Sequence, residues 1–204
     1  AVQSVQTTCD AYAAIRGDGS VVTWGGPDGG ANKESFAAIK KDGTVVTWGR
    51  QVAAISASER AFAALLFDGS VVTWGDAENG GDSSAVQDQL LNVRQISASG
   101  DAFAAILENG KVVTWGDPAE GGDSSAMREQ LQSHVRAVQA TCGAFAAIKE
   151  DGSVVTWGEE TVGGDSSAVQ DLLYSIERVQ AGRLLFVAVA DDGRVVAWPD
   201  SPQG

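Results

Sequence analysis

The sequence predicts an all-β chain, a β-propeller assembled from units of about 41 residues that each hold three strands and a short helix. Three observations predict it. V-V-T-W-G recurs at residues 21–25, 45–49, 71–75, 112–116 and 154–158, with V-V-A-W-P at 195–199. The six tryptophans, Trp24, Trp48, Trp74, Trp115, Trp157 and Trp198, are therefore six copies of one position. An Asp-Gly or Asn-Gly pair stands before each copy, and the run before that pair is apolar at every position, as a strand buried on both faces requires.

Spacing sets the unit. Trp74, Trp115, Trp157 and Trp198 are 41, 42 and 41 residues apart, whereas Trp24 to Trp48 is 24 and Trp48 to Trp74 is 26. One repeat domain covers residues 1–204, with units at 1–30, 31–49, 50–91, 92–132, 133–174 and 175–204.

Within the unit that starts at Val93, V-R-Q-I-S (93–97) alternates as a first strand, A-F-A-A-I-L (102–107) forms a second and residues 111–115 a third. The glycines between second and third strands are Gly19, Gly43, Gly69, Gly110, Gly152 and Gly193. Each closes an Asp/Asn-Gly pair, which predicts a two-residue hairpin with positive φ at both centres. Phe103, Ala105 and Leu107 face one way, Ala104 and Ile106 the other. The alanines let neighbouring sheets approach, and one tryptophan per unit fills the space where blades diverge.

After the third strand comes G-G-D-S-S-A, at 80–85, 121–126 and 163–168. Ser84 with Gln87, and Ser167 with Gln170, have capping-box spacing. Val86/Leu90, Met127/Leu131 and Val169/Leu173 sit at i, i+4, predicting one and a half to two turns of amphipathic helix. These turns are the candidate interaction loops: Asp82 and Ser83, Asp123 and Ser124, Asp165 and Ser166. Each offers one carboxylate where calcium takes six to eight oxygens, so capping is the better reading than metal binding.

Two units are short. After Gly30 the chain passes directly to A-N-K-E-S-F, without the helix and first strand expected there, and after Gly49 it skips the turn and helix. A blade without its first strand leaves an unpaired edge, which favours segments missing after Gly30 and Gly49 over truncated blades. A mass near 21 kDa for the intact polypeptide would exclude that reading.

Composition narrows the chemistry. Fourteen basic against 27 acidic side chains leave a net charge of −13, which argues against a phosphate-binding surface and so against nucleic acid. The longest apolar run, residues 184–190, is far short of the roughly 20 residues of a membrane helix. His134 is the one histidine, without Cys or His partners nearby in sequence, so a Ser-His-Asp hydrolase is not expected and the chain reads as a non-enzyme without a cofactor. Cys9 and Cys142 share one repeat position four units apart, too far around a ring to bridge, and read as free thiols. Asp76, Glu78, Asp117, Glu120, Glu159 and Glu160 read as a solvated rim or as a negative face for a basic partner.

The pattern V-x-x-I-S-A-S followed by A-F-A-A-I-L-x-x-G-x-V-V-T-W-G resembles the repeats of the regulator of chromosome condensation family over nearly the whole chain. The short unit is more similar to the variant in the propeller-type beta-lactamase inhibitory protein, and G-G-D-S-S-A-V-Q-D-Q-L to tandem-repeat proteins of dinoflagellate algae. Ala11, Ser35, Ala61, Ala102, Ala144 and Leu185 stand where family members commonly carry histidine, and G-G-D-S-S replaces G-Q-L-G. The resemblance implies the propeller fold but carries over no exchange activity, because the exchange hairpin and a basic arm have no counterpart here.

These readings converge on a non-enzymatic interaction scaffold, an accessory subunit of a larger assembly. The algal resemblance extends this to an organellar, photosystem-type supercomplex on its soluble side, with a plastid location. The alternatives are a nucleotide-exchange regulator of a small GTPase and a propeller-type enzyme inhibitor. The inhibitor needs loop aromatics, and Tyr174 is the one recognised.

Overall fold

The computed structural model describes residues 52–199 in full and, ahead of them, the backbone of five strands. β1 (Val2–Thr7), β2 (Ala11–Arg16) and β3 (Val21–Gly25) form one antiparallel sheet, and β4 (Phe36–Ile39) pairs with β5 (Val45–Trp48) in a two-stranded one. Four further sheets follow. They are β6 (Val52–Ala57), β7 (Ala61–Leu66) and β8 (Val71–Gly75); then β9 (Val93–Ala98), β10 (Ala102–Leu107) and β11 (Val112–Gly116). The next two are β12 (Val135–Ala140), β13 (Ala144–Lys149) and β14 (Val154–Gly158), and β15 (Ile176–Ala181), β16 (Phe186–Ala190) and β17 (Val195–Trp198). Each sheet is a sequential antiparallel meander, one blade of a propeller. In the second unit β4 pairs with β5, and the third unit has its first strand in β6.

Blade packing follows the two faces of the middle strand. Phe103, Ala105 and Leu107 of β10, with Val113 and Trp115 of β11, pack against Ala61, Ala63, Leu65 and Val71 of the preceding blade. The opposite face, Ala102, Ala104, Ile106 and Val112, receives Phe145, Ala147, Val155 and Trp157 of the following blade. The next junction repeats the pattern, with Ala144, Ala146 and Ile148 meeting Phe186, Ala188 and Trp198. A large face thus always meets a small one. Burying each phenylalanine side chain contributes about 1.5–3 kcal/mol, and the alanines opposite let the rings seat without voids.

The hairpins between second and third strands differ from the two-residue turn expected. Positive φ occurs at Gly69, Gly110, Gly152 and Gly193 (78°, 76°, 79° and 84°) and not at the Asp or Asn before them. Gly69 N donates to Leu66 O at 3.0 Å and Leu66 N to Ser70 O at 2.9 Å, which makes a three-residue loop with a glycine bulge. The cause lies in the side chain before the glycine: Asp68 Oδ1 accepts from Ser70 N, and Asn109 Oδ1 from Lys111 N. That forward bond holds Asp or Asn in an ordinary conformation and leaves the left-handed position to glycine. Gly19 and Gly43 lie outside the described residues, as do Gly30, Gly49 and Cys9.

The predicted amphipathic helices are shorter and tighter than expected. Single 3-10 turns span Gln87–Gln89 and Ser125–Met127, and a longer one spans Ser167–Leu172. Leu90, Leu131 and Leu173 are nonetheless buried, while Val86, Met127 and Val169 are half-buried beside the core. The i, i+4 apolar pairs therefore did mark the inward side. No helix among the described residues is long and apolar enough to cross a membrane.

Candidate interaction surface

Every described blade junction is closed by backbone groups at both ends of the sheet. At one end Glu59 N donates to Gly100 O and Gly100 N to Cys142 O, each at 2.6 Å, and Cys142 N donates to Arg183 O at 2.9 Å. At the other, the amide that opens each first strand reaches the preceding hairpin glycine: Val93 to Gly69, Val135 to Gly110 and Ile176 to Gly152, at 2.8, 3.1 and 2.9 Å. At that second end Arg94 also donates to Val135 O and Arg136 to the carbonyls of Ile176 and Glu177. Arg94 and Arg136 lie at the register shift that each first strand carries near its start, where a bulge re-aims the side chain.

The tryptophans complete the junction. Among the described residues Trp74, Trp115, Trp157 and Trp198 each stack on the phenylalanine across the hairpin, with centroids 5.3 Å apart for Phe103–Trp115, Phe145–Trp157 and Phe186–Trp198 and 5.1 Å for Phe62–Trp74. Their indole N–H groups cross to the preceding blade: Trp115 to Gly80 O, Trp157 to Gly121 O and Trp198 to Gly163 O, at 3.0, 3.0 and 3.1 Å. These tryptophans bridge blades rather than form a ligand cage; the side chains of Trp24 and Trp48 lie outside the described residues. Gly80, Gly121 and Gly163 have φ of 91°, 95° and 106°, and a Cβ on Gly121 would sit 2.5 Å from the Phe145 ring. Sequence reasoning took these glycines only as turn formers, although their fixed offset from the next tryptophan was visible.

The candidate loops divide by residue type. Ser83 and Ser166 are buried, and their hydroxyls hold the loop to its own sheet. Thr73 Oγ1 lies 2.9 Å from Ser83 Oγ, which donates to Gln87 Oε1, and Gln87 Nε2 donates to Val71 O. Thr156, Ser166, Gln170 and Val154 repeat this chain, and Thr114 donates to Ser124 at 3.0 Å. The capping boxes expected from Ser84 and Ser167 are absent because Gln87 and Gln170 are engaged by the serine one place earlier. Asp82, Asp123 and Asp165 are exposed and accept the backbone N–H two residues on, at 2.8–2.9 Å. Those N–H bonds hold the carboxyls of Asp123 and Asp165 below the usual range, so both are fully ionised at neutral pH.

Two cavities open where these loops meet the next blade. One of about 500 Å³ lies between the turn at Ala77–Gly81, with Asp82, Ala85 and Val86, and the end of β11 at Trp115 and Asp117. The other, about 270 Å³, occupies the equivalent place between Glu160–Val169 and Trp198–Pro199. The surrounding end of the molecule is acidic. Burial, reinforced by Asp101, Asp117, Glu159 and Glu59, pushes the Glu120 carboxyl up, while Asn79 donates to Asp101.

The remaining candidates take structural places. His134, exposed at φ 63°, shares with Asn92 (54°) and Ser175 (50°) the residue ahead of each first strand; its Nδ1 lies 2.6 Å from Ser133 Oγ, and its carbonyl accepts from Glu150 N. Cys142 is a free thiol whose carbonyl and amide serve the junction, and burial beside Glu120 and Glu159 raises it. Tyr174 is exposed with the Arg194 guanidinium 4.0 Å over its ring. The sequence reading missed Phe67, 73% exposed at a hairpin tip. Among the described residues no three His, Cys, Asp or Glu side chains converge on a metal-sized site.

Blades latched in sequence around tryptophan-bearing hairpins define a repeat β-propeller. Residues 93–121, one repeat, match the family model of the Regulator of chromosome condensation (RCC1) repeat. Comparison with curated proteins finds no match. Among solved structures the fold is similar to human WBSCR16 (15% identity, TM-score 0.62), covering 97% of this chain and 61% of that one. It is also similar to Prp20p from Saccharomyces cerevisiae (19%, 0.63), over 96% of this chain and 56% of that one. The ectodomain of the Physcomitrella patens receptor kinase CR4 (15%, 0.57) matches over 98% and 52%. The chain thus spans about half to three-fifths of the length of these structures, and it is a propeller resembling the regulator of chromosome condensation type.

Proposed function

We propose that this protein is a non-enzymatic interaction scaffold that serves as an accessory subunit of a larger assembly. The observation that carries this reading is the junction itself. Polar side chains at equivalent positions in successive blades are engaged in joining blades or pinning loops, as in Trp115–Gly80, Arg136–Ile176 and Ser166–Gln170, and the acidic turns at Asp82, Asp123 and Asp165 face outward. A rigid frame that presents loops loses little conformational freedom when a partner docks. The proposed setting is the soluble side of an organellar complex of the photosystem type, which proteomics of isolated plastids tests.

The test of the scaffold reading is purification from the native source under mild crosslinking, followed by reconstitution from purified components. A defined stoichiometric partner supports it; a chain that migrates alone under both conditions overturns it. A second reading, acceleration of nucleotide release from a small GTPase, is favoured by the similarity to Prp20p, whose structure was described with its binding properties to Gsp1p and histones. Unchanged release rates across a GTPase panel would remove it.

A further inference from the structure

We propose that the two inter-blade grooves are docking positions for a segment of a partner protein rich in Lys or Arg. The proposal rests on the scaffold reading and names its partner by charge and shape. Each groove has an apolar wall and an anionic rim. In the larger, Ala77, Val86 and Trp115 form the wall, and Glu78, Asp82 and Asp117 the rim. In the smaller, Val169, Trp198 and Pro199 are the wall, and Glu160 and Asp165 the rim. Among the described residues, no Lys, Arg or His lines either groove.

That combination matches one side-chain chemistry. A Lys or Arg lays an aliphatic stem along apolar surface while its charged end stays at the polar boundary. An acidic segment would meet only like charge, and a purely apolar one would desolvate the rim without pairing it. The rim charges are also held in place: Asp82 accepts from Ser84 N, Asp117 from Ala119 N and Asp165 from Ser167 N. Fixed acceptors lose little freedom on pairing, and the net charge of −13 steers a basic segment toward them. Because the grooves recur two junctions apart, one partner with two basic clusters gains by engaging both.

The experiment is a fluorescence-anisotropy titration of the whole chain with a labelled octapeptide of alternating Arg and Val, against counterparts with citrulline or Glu in place of Arg. The Arg peptide is expected to bind, more weakly as salt rises, and the others at least tenfold more weakly. The variant E78Q/D82N/D117N/E160Q/D165N, which neutralises the rims of both grooves and keeps an acceptor oxygen at each turn, is expected to weaken binding about tenfold or more. A charge-matched control at the opposite end and on an outer loop, D68N/E108Q/E129Q/E150Q/D151N, is expected to leave it within twofold. Equal loss in both variants, equal binding of the Glu or citrulline peptide, or no binding at all overturns the proposal. Circular dichroism and tryptophan emission confirm that each variant is folded. If a partner isolated from the native source binds the five-site groove variant undiminished, the groove proposal fails while the scaffold reading stands. If no partner exists, the scaffold reading fails.

Discussion

At the scale of single residues, each described junction depends on three groups from two blades: an indole N–H, a glycine carbonyl and a phenylalanine ring under that glycine. Trp157→Phe leaves the buried Gly121 carbonyl without its donor and is expected to cost about 1–3 kcal/mol, read as a lower urea midpoint with unchanged slope. Gly121→Ala forces a methyl to 2.5 Å from Phe145 at φ 95°. Gly193→Ala has a similar φ, 84°, but nothing within 4 Å of the added carbon. It pays only the left-handed strain, roughly 1–2 kcal/mol, and Gly121→Ala is expected to exceed it by about 1–3 kcal/mol of overpacking. Equal costs would mean that the Phe145 ring yields freely. The tryptophan position was legible from its recurrence, but its acceptor was not, because a main-chain carbonyl carries no signature in the side-chain alphabet. The hairpin glycines were legible as turns, yet their loop class was missed because it turns on whether the Asp bonds forward to its own backbone.

At the scale of elements, the turn and 3-10 segment after each third strand act as a strap, pinned by threonine, serine and glutamine. Ser166→Ala removes a buried link that serves both Thr156 and Gln170 and is expected to cost about 1–2 kcal/mol. Ser167→Ala, exposed one residue on, is expected to cost under about 0.5 kcal/mol. The opposite ranking would restore the capping-box reading, which the sequence favoured because Ser167 and Gln170 have the spacing and nothing in the chain reveals that Thr156 waits beneath. The strap after β11 carries Glu120, whose raised carboxyl has a defined pH consequence. A group that prefers its proton in the folded state contributes stability fully below the unfolded value, about 4.3, and loses it as pH rises through the folded value. Ionised Glu120 therefore opposes folding at neutral pH. Glu120→Gln is expected to raise the melting temperature at pH 7, with the gain shrinking toward pH 4; an unchanged or lower melting temperature at pH 7 refutes it.

At the scale of the whole molecule, the described blades form a one-dimensional series in which each sheet is stabilised by its neighbours. Among the described residues, the blade of β15–β17 packs against a neighbouring blade on one face only. Val71, Val112 and Val154, the equivalent first residues of the third strands, are 2%, 5% and 2% exposed, whereas Val195 is 62% exposed. A Cβ added at Gly193 would meet nothing within 4 Å, while one added at Gly69, Gly110 or Gly152 would sit 2.6–2.9 Å from the next blade's backbone. The two-sided apolar pattern of V-V-A-W matches that of the other units, so the sequence could not distinguish an inner blade from an uncovered one. β16 keeps its ladder bonds to β15 and β17 yet lacks the second face of packing that makes opening costly. Native-state hydrogen exchange is therefore expected to be faster at the amides of β16 than at those of β10 and β13, by roughly tenfold or more for each 1.4 kcal/mol of packing that is absent. Val195→Thr is expected to change stability by under about 0.5 kcal/mol, whereas Val154→Thr buries a hydroxyl and is expected to cost about 1–3 kcal/mol. Should β16 exchange as slowly as β13, and Val195→Thr prove as costly as Val154→Thr, that face is covered in solution and the blade is an inner member of a larger ring.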